Sequence, residues 1–368
     1  MAHNEKGSAK KINLALQGGG SQGSYTWGVL DRLLEDPRIS IDAISGTSAG
    51  AMNAIVLADG YVKGGREGAR EALANFWNKV SQLGNFSPIQ HVPLQKQFNM
   101  WNMDWSPTFA FFDSLSRVYS PYQTNPLNIN PLREVLAACV DFDRLRNSDA
   151  LKIFITATSV TTGQPRVFSH NEITIDAVMA SACLPFLFQA VEIDGDCYWD
   201  GGYMGNPSIW PLSYHTRTDD IVIVEINPII REGVPTEAKD IINRLNEIAF
   251  NASLISEMRA INFVNRLIKL GHLKDPNYRS LNIHLIASAK EMVQMNASSK
   301  LNVSTEFFTY LHELGRTAAD GWLKKNFDKI GVASSVNIEE AFLAHVKQPK
   351  MKKVQKDMHE TSKISAKG

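Results

Sequence analysis

Residues 39–57, ISIDAISGTSAGAMNAIVL, change periodicity at a knot of small residues. ISIDAIS reads as a short buried strand over residues 39–45. The Ala- and Met-rich stretch after GTSAG reads as a helix ending near Gly60. At the junction Gly46, Ser48 and Gly50 satisfy GxSxG. A sharp strand-to-helix turn exposes a serine while the flanking glycines relieve crowding around its backbone, so Ser48 is the candidate nucleophile. The helix N-terminus beneath it favours developing negative charge.

Upstream, LALQGGGSQGSYTWGVL (residues 14–30) repeats the arrangement. Residues 11–17 read as a strand, and residues 24–35 as a helix with Tyr25, Val29, Leu30, Leu33 and Leu34 at helical spacing. Strand, turn and helix twice over predict an α/β fold whose mostly parallel sheet is covered on both faces. Gly18, Gly20 and Gly23 also fit GxGxxG, which raises a dinucleotide-binding turn. Two features oppose that. A dinucleotide fold should place an acidic residue at the end of its second strand, whereas Asp42 lies mid-strand and the strand ends in the serine turn. A phosphate-binding loop of the Walker type needs a lysine before Ser24, and Gly23 stands there. The loop's main-chain N–H groups suit an oxyanion instead.

Composition bounds the rest. With 368 residues, 44% hydrophobic content and a formal net charge of zero, the chain suits one globular enzyme-sized unit and lacks the basic field of a nucleic-acid binder. Cys139, Cys183 and Cys197 are odd in number and form no CxxC, so neither a disulfide framework nor a zinc site is expected. The opening MAHNEKGSAKK has no apolar core, and no stretch is long enough to span a bilayer. The expectation is a protein without signal peptide or transmembrane segment, cytoplasmic or peripheral to a membrane.

A single domain is expected over residues 11–346. Within it, residues 85–122 form an aromatic-rich excursion including Phe86, Phe98, Trp101, Trp105, Phe109, Phe111, Phe112, Tyr119 and Tyr122, read as either packing or an apolar wall for a greasy ligand. NPLNINPLREVLAACVDFDRL resumes a helix, LKIFITATSV (151–160) is a central strand, and residues 189–202 form a hairpin turning at Asp194–Gly195. Strands follow at 220–228 and 281–288, separated by an amphipathic helix from Asp240 to Leu270 expected to cover the sheet. Residues 347–368 carry seven lysines and read as a disordered basic tail.

A serine nucleophile needs a base. His215, His272, His284, His312 and His345 have no distinguishing neighbourhood and read as surface or packing residues. In YWDGG, by contrast, Asp200 ends a strand before Gly201 and Gly202, a setting that presents a carboxylate at a loop mouth.

Taken together, GGGSQG, GTSAG and DGG in this order resemble the patatin-like phospholipases, and the resemblance extends through SACLPFLFQAVEIDGDCYWDGGYMGNPSIWPL to cover roughly residues 11–230. It implies a three-layer α/β/α fold with a mostly parallel central sheet, a Ser–Asp dyad, lipid acyl hydrolysis of phospholipase A or lysophospholipase type, and no metal or other cofactor. By position, Ser48 would be nucleophile and Asp200 base, with Gly19, Gly20 and Ser21 forming the oxyanion hole. The implied partners are a phospholipid or other acyl-ester lipid and a membrane surface touched peripherally, with no nucleic acid. The alternatives are an esterase or thioesterase on other substrates, and an inert binding module with the same fold. One departure is Gln22, where the family commonly has a basic residue.

Overall fold

The computed structural model describes residues 9–84, 101–104 and 106–343. Phe86, Phe98, Trp105, His345 and the basic tail lie outside the described residues.

Strand β1 (Lys10–Leu16) and helix α1 (Gly23–Glu35) are followed by β2 (Ile39–Gly46) and α2 (Ala49–Gly84). Later come α3 (Pro107–Ser116), α4 (Pro131–Cys139), β3 (Lys152–Ser159), β4 (Pro165–Ser169), α5 (Ile175–Ser181), β5 (Val191–Ile193) and β6 (Asp196–Asp200). The chain continues through β7 (Asp220–Val224), α6 (Ala238–Lys269), β8 (Asn282–Ile286), α7 (Thr305–Asn326) and α8 (Ile338–Phe342). The eight strands form one sheet. Its parallel centre runs β3, β2, β1, β7, β8, and β4 and β6 pair antiparallel with β3.

Side chains that alternate along a strand face opposite sides, so a doubly covered strand is apolar throughout. Ile12, Leu14 and Leu16 join Val222 and Val224 in one core, packed by Tyr25, Val29, Leu30 and Leu33 of α1 and by Phe307 and Leu311 of α7. Ala15, Ala43, Ile221 and Ile223 form the other, under Leu254 and Met258 of α6 and Phe342 of α8. These side chains are essentially inaccessible to water, and each contributes about 1.5–3 kcal/mol if large.

The helix after Ser48 ends near Gly60 as expected: helical geometry stops at Gly64 and Gly65, the latter with φ +61°, and α2 continues beyond them as a second, returning helical arm. Gly60 is where the returning arm touches the first, since a Cβ there would lie 2.5 Å from the Gly68 carbonyl oxygen. Two sequence expectations are corrected. NPLNIN does not begin a helix. α4 starts at Pro131, with the Asn130 side chain capping Leu132 N–H, and a separate turn follows over Phe142–Arg146. Finally, α6 covers the sheet only through its middle and later turns. Ile241, Leu245 and Ile248, read as core-facing, are 41%, 60% and 51% exposed. The hairpin forms as expected, with Asp194 and Gly195 both at positive φ as a two-residue type I′ turn requires.

Within the excursion, Trp101 stacks on Tyr310 at 5.1 Å between centroids and packs against Phe307, so it is anchored to α7. Phe111, Phe112, Tyr119 and Tyr122 are exposed.

Candidate functional site

The pairing of β3 decides what meets what. Ile155 pairs with Gly46 of β2 and Phe168 of β4, and Ala157 pairs with Asp200 of β6 and Arg166 of β4. Because β4 holds one edge across both positions, β2 and β6 must share the other. They approach end to end from opposite directions. The residues that leave their tips, Ser48 and Asp200, are therefore neighbours although 152 positions apart in the chain.

Ser48 has φ +53°, a left-handed conformation that costs a non-glycine residue about 1–2 kcal/mol. Main-chain bonds hold the turn: Thr47 N–H donates to the Leu16 carbonyl, Gly50 N–H to that of Thr47 and Met52 N–H to that of Ser48. Thr47 Oγ1 donates to the Gly205 carbonyl at 2.6 Å. Ser48 is 8% exposed. Its own N–H donates at 2.9 Å to Ser181 Oγ, which in turn donates to the Thr156 carbonyl at 2.6 Å.

The glycine loop lies directly on this turn. A Cβ at Gly18 would fall 2.7 Å from Ser48 Cβ, and one at Gly50 would fall 2.1 Å from the Leu16 carbonyl oxygen, so only glycine lets the two backbones meet. Gly18 N–H donates to Asn206 Oδ1 at 2.6 Å, and the Gly18 carbonyl accepts from Asn227 Nδ2 at 2.7 Å. Gln17 Oε1 accepts from the N–H groups of Ile226 and Asn227. The loop is thus gripped from the ends of β1 and β7. The N–H groups of Gly19, Gly20 and Ser21 have no acceptor among the described residues, and a short 3-10 turn over Gly20–Gln22 leads straight into the N-terminus of α1. Such an arrangement binds anions. Gly23 and Gly46 support it, the first packing against Ala49 and the second against the Gly50 carbonyl.

Asp200 is fully buried. Its N–H donates to the Cys183 carbonyl and its carbonyl accepts from Thr158 Oγ1, which fixes the backbone. Oδ1 accepts from Gly202 N–H at 2.8 Å, while Oδ2 has no hydrogen bond of full geometry. Gly201 packs against the Thr156 carbonyl and Gly202 against the Phe250 ring. Burial pushes the carboxyl's pKa up to about 6, opposed by the Gly202 N–H, the nearby Ser48 hydroxyl and the charge of Lys300.

Ser181, Asn206, Asn227 and Lys300 were not singled out from sequence. Ser181 and Asn206 fall within the stretch that carries the resemblance, in SAC and GNP. Asn227 and Lys300 follow it without any motif. The described histidines are elsewhere: His284 is buried against Asp220 at 2.9 Å, His215 stacks on Phe154, and His312 stacks on Trp27.

The mostly parallel sheet thus brings a serine at positive φ, a glycine loop and a buried carboxyl together at its carboxyl edge. The patatin-like phospholipase family model matches residues 14–212, and the chain belongs to that family of lipid hydrolases. A search of curated protein sequences gave no match. Among solved structures, VipD from Legionella pneumophila is similar at 15% identity and TM-score 0.42, covering 91% of this chain and 73% of VipD. The type III effector ExoU is similar at 17% identity and TM-score 0.30, covering 86% of this chain and 53% of ExoU. In its complex with SpcU from Pseudomonas aeruginosa, the match has 18% identity and TM-score 0.30, covering 88% and 61%. Among the described residues no helix is long and apolar enough to cross a membrane.

Proposed function

We propose that the protein is a serine lipid acyl hydrolase in which Ser48 and Asp200 act as a dyad on the ester of a glycerophospholipid or lysophospholipid. The observation that carries this is the meeting of β2 and β6 along β3, which sets a strained, nearly buried hydroxyl beside a buried carboxyl and against the glycine loop. Asp200 takes the Ser48 proton as Oγ attacks the ester carbonyl carbon. The carbonyl oxygen becomes an oxyanion received by the N–H groups of Gly19, Gly20 and Ser21, one such donor typically contributing on the order of a hundredfold to a thousandfold in rate. Collapse expels the alcohol, which takes the proton from Asp200 and leaves acyl-Ser48. Water, deprotonated by Asp200, then attacks the acyl carbon, and collapse releases the fatty acid as Ser48 Oγ takes the proton back from Asp200. An ordinary aspartate is a weak base at pKa about 3.9, and burial remedies this by raising Asp200 toward the operating pH.

A lipid substrate is supported by the surface beside the site. Ala190 N–H donates to the Tyr122 hydroxyl and Gln189 Nε2 to the Asn125 carbonyl, tying residues 122–125 to the loop that runs from Cys183. Tyr122, Leu127 and Phe186 are 59%, 80% and 67% exposed there, an apolar rim suited to peripheral contact with a membrane.

The test is fatty-acid release from mixed phospholipid vesicles by wild type, Ser48→Ala and Asp200→Asn, with fluorophosphonate labelling of the serine alongside. Release by wild type alone supports the proposal. Labelling of Ser48 without release from any phospholipid moves the substrate to another ester or thioester. Absence of both leaves a binding module and overturns the enzyme.

A further inference from the structure

A half-buried lysine sits between the two halves of the site, and the acylation and deacylation steps above leave it unused. Lys300 belongs to the 3-10 turn Ala297–Leu301. That turn is pressed against the glycine loop: Gln22 Nε2 donates to Ser299 Oγ at 2.8 Å, and a Cβ on Gly20 would lie 2.5 Å from the Lys300 carbonyl oxygen. Lys300 Nζ donates to Asn227 Oδ1 at 2.7 Å, and Asn227 Nδ2 donates to the Gly18 carbonyl. On its other side Nζ lies 5.4 Å from the centre of the Phe250 ring, which packs on Gly202. The ammonium is thus one side chain away from the loop beside Ser48 and one ring away from the turn that carries Asp200. Of its three N–H donors, one has an acceptor among the described residues.

We propose that Lys300 is a positioning residue, its charge holding Asp200 in the carboxylate form while its bond to Asn227 braces the glycine loop. This rests on the roles of Ser48 and Asp200 proposed above. The charged and titratable groups around the pair are few. Asp200 is faced by the Ser48 hydroxyl and Lys300, while burial and, after it, the charge of Asp200 raise the pKa values of Cys183 and Tyr203. Burial lowers the Lys300 pKa, opposed by the charges of Glu247 of α6 and of Asp200 and aided by that of Arg231. Glu247 is itself held by Arg231 and Arg244, so it does not compete with Asp200 as a direct partner of the ammonium.

The experiment follows the rate of fluorophosphonate labelling of Ser48 against pH in the full chain for wild type, Lys300→Met, Lys300→Gln and Lys300→Arg. Wild type should gain reactivity through an acid limb near pH 6. Removing the positive charge should move that limb up by about one pH unit, because the carboxyl loses the cation that favours its ionised form. Lys300→Arg should restore it. Lys300→Gln keeps polarity at one bond less reach and carries the test if Lys300→Met does not fold. Folded neutral variants that label more slowly at every pH with the limb unmoved would reduce Lys300 to a structural brace and overturn the proposal. Wild type that fails to label, or labels independently of Asp200, would instead overturn the dyad on which it rests.

Discussion

Replacing Asp200 by asparagine should stabilise the folded chain while abolishing turnover. The carboxyl is fully buried and its pKa lies at about 6, against about 3.8 in the unfolded chain. Between those values the native state binds more protons than the unfolded state, so stability falls as pH rises and the loss is complete above the folded pKa. A shift of about two units, at about 1.4 kcal/mol each, corresponds to about 3 kcal/mol lost at pH 8 and about 1 kcal/mol at pH 4.5. Asparagine stands for the neutral acid and still accepts the Gly202 N–H on its amide oxygen. Urea unfolding of wild type and Asp200→Asn at the two pH values measures the difference directly. The variant should lead by about 3 kcal/mol at pH 8, and the lead should shrink to about 1 kcal/mol at pH 4.5. A variant no more stable than wild type at pH 8, or one whose lead is the same at both pH values, would show that Asp200 is not held against its own ionisation.

The strain at Ser48 gives a second outcome: Ser48→Gly should exceed Ser48→Ala in stability by about 1 kcal/mol in thermal or urea unfolding, because only glycine adopts φ +53° freely. A third concerns the ion pairs joining α1, α2 and α7, where Asp31 meets Arg70 at 2.7 Å and also Arg316 and His312. Burial alone would raise the Asp31 pKa, but those partners hold it below the usual carboxylate range. Its stabilising effect is present above about pH 4 and lost as pH falls toward the lowered value. Asp31→Asn should therefore cost on the order of 2 kcal/mol at pH 7, with the difference from wild type narrowing on acidification.

The elements that position the site were legible where local chemistry dictates geometry. GxSxG demands a tight turn, Asp194–Gly195 demands a two-residue hairpin, and the apolar residues of β1, interrupted only by Asn13, demand cover on both faces. Gly60 was read only as marking the end of its helix; that it also admits the Gly68 backbone was not readable, because nothing local marks such a partner. The apolar stripe of Ile241, Leu245 and Ile248 misled, since periodicity reports an amphipathic face without saying what lies against it. Ser181, Asn206 and Lys300 were invisible for a third reason. Each reaches, through a hydrogen bond or a charge, a segment 100 or more positions away, and no local pattern encodes such a partner.

That β2 and β6 share one edge of β3 also orders events in time. A chain emerging from synthesis presents Ser48 and the glycine loop long before it presents Asp200, Asn206 or Lys300, and the gap between β2 and its remote complement must close across about 150 residues. On the proposed roles, the serine has no base until β6 docks, and its loop has no clamp from Asn227 until β7 pairs with β1. The nascent polypeptide would consequently be inert toward esters until both pairings have formed.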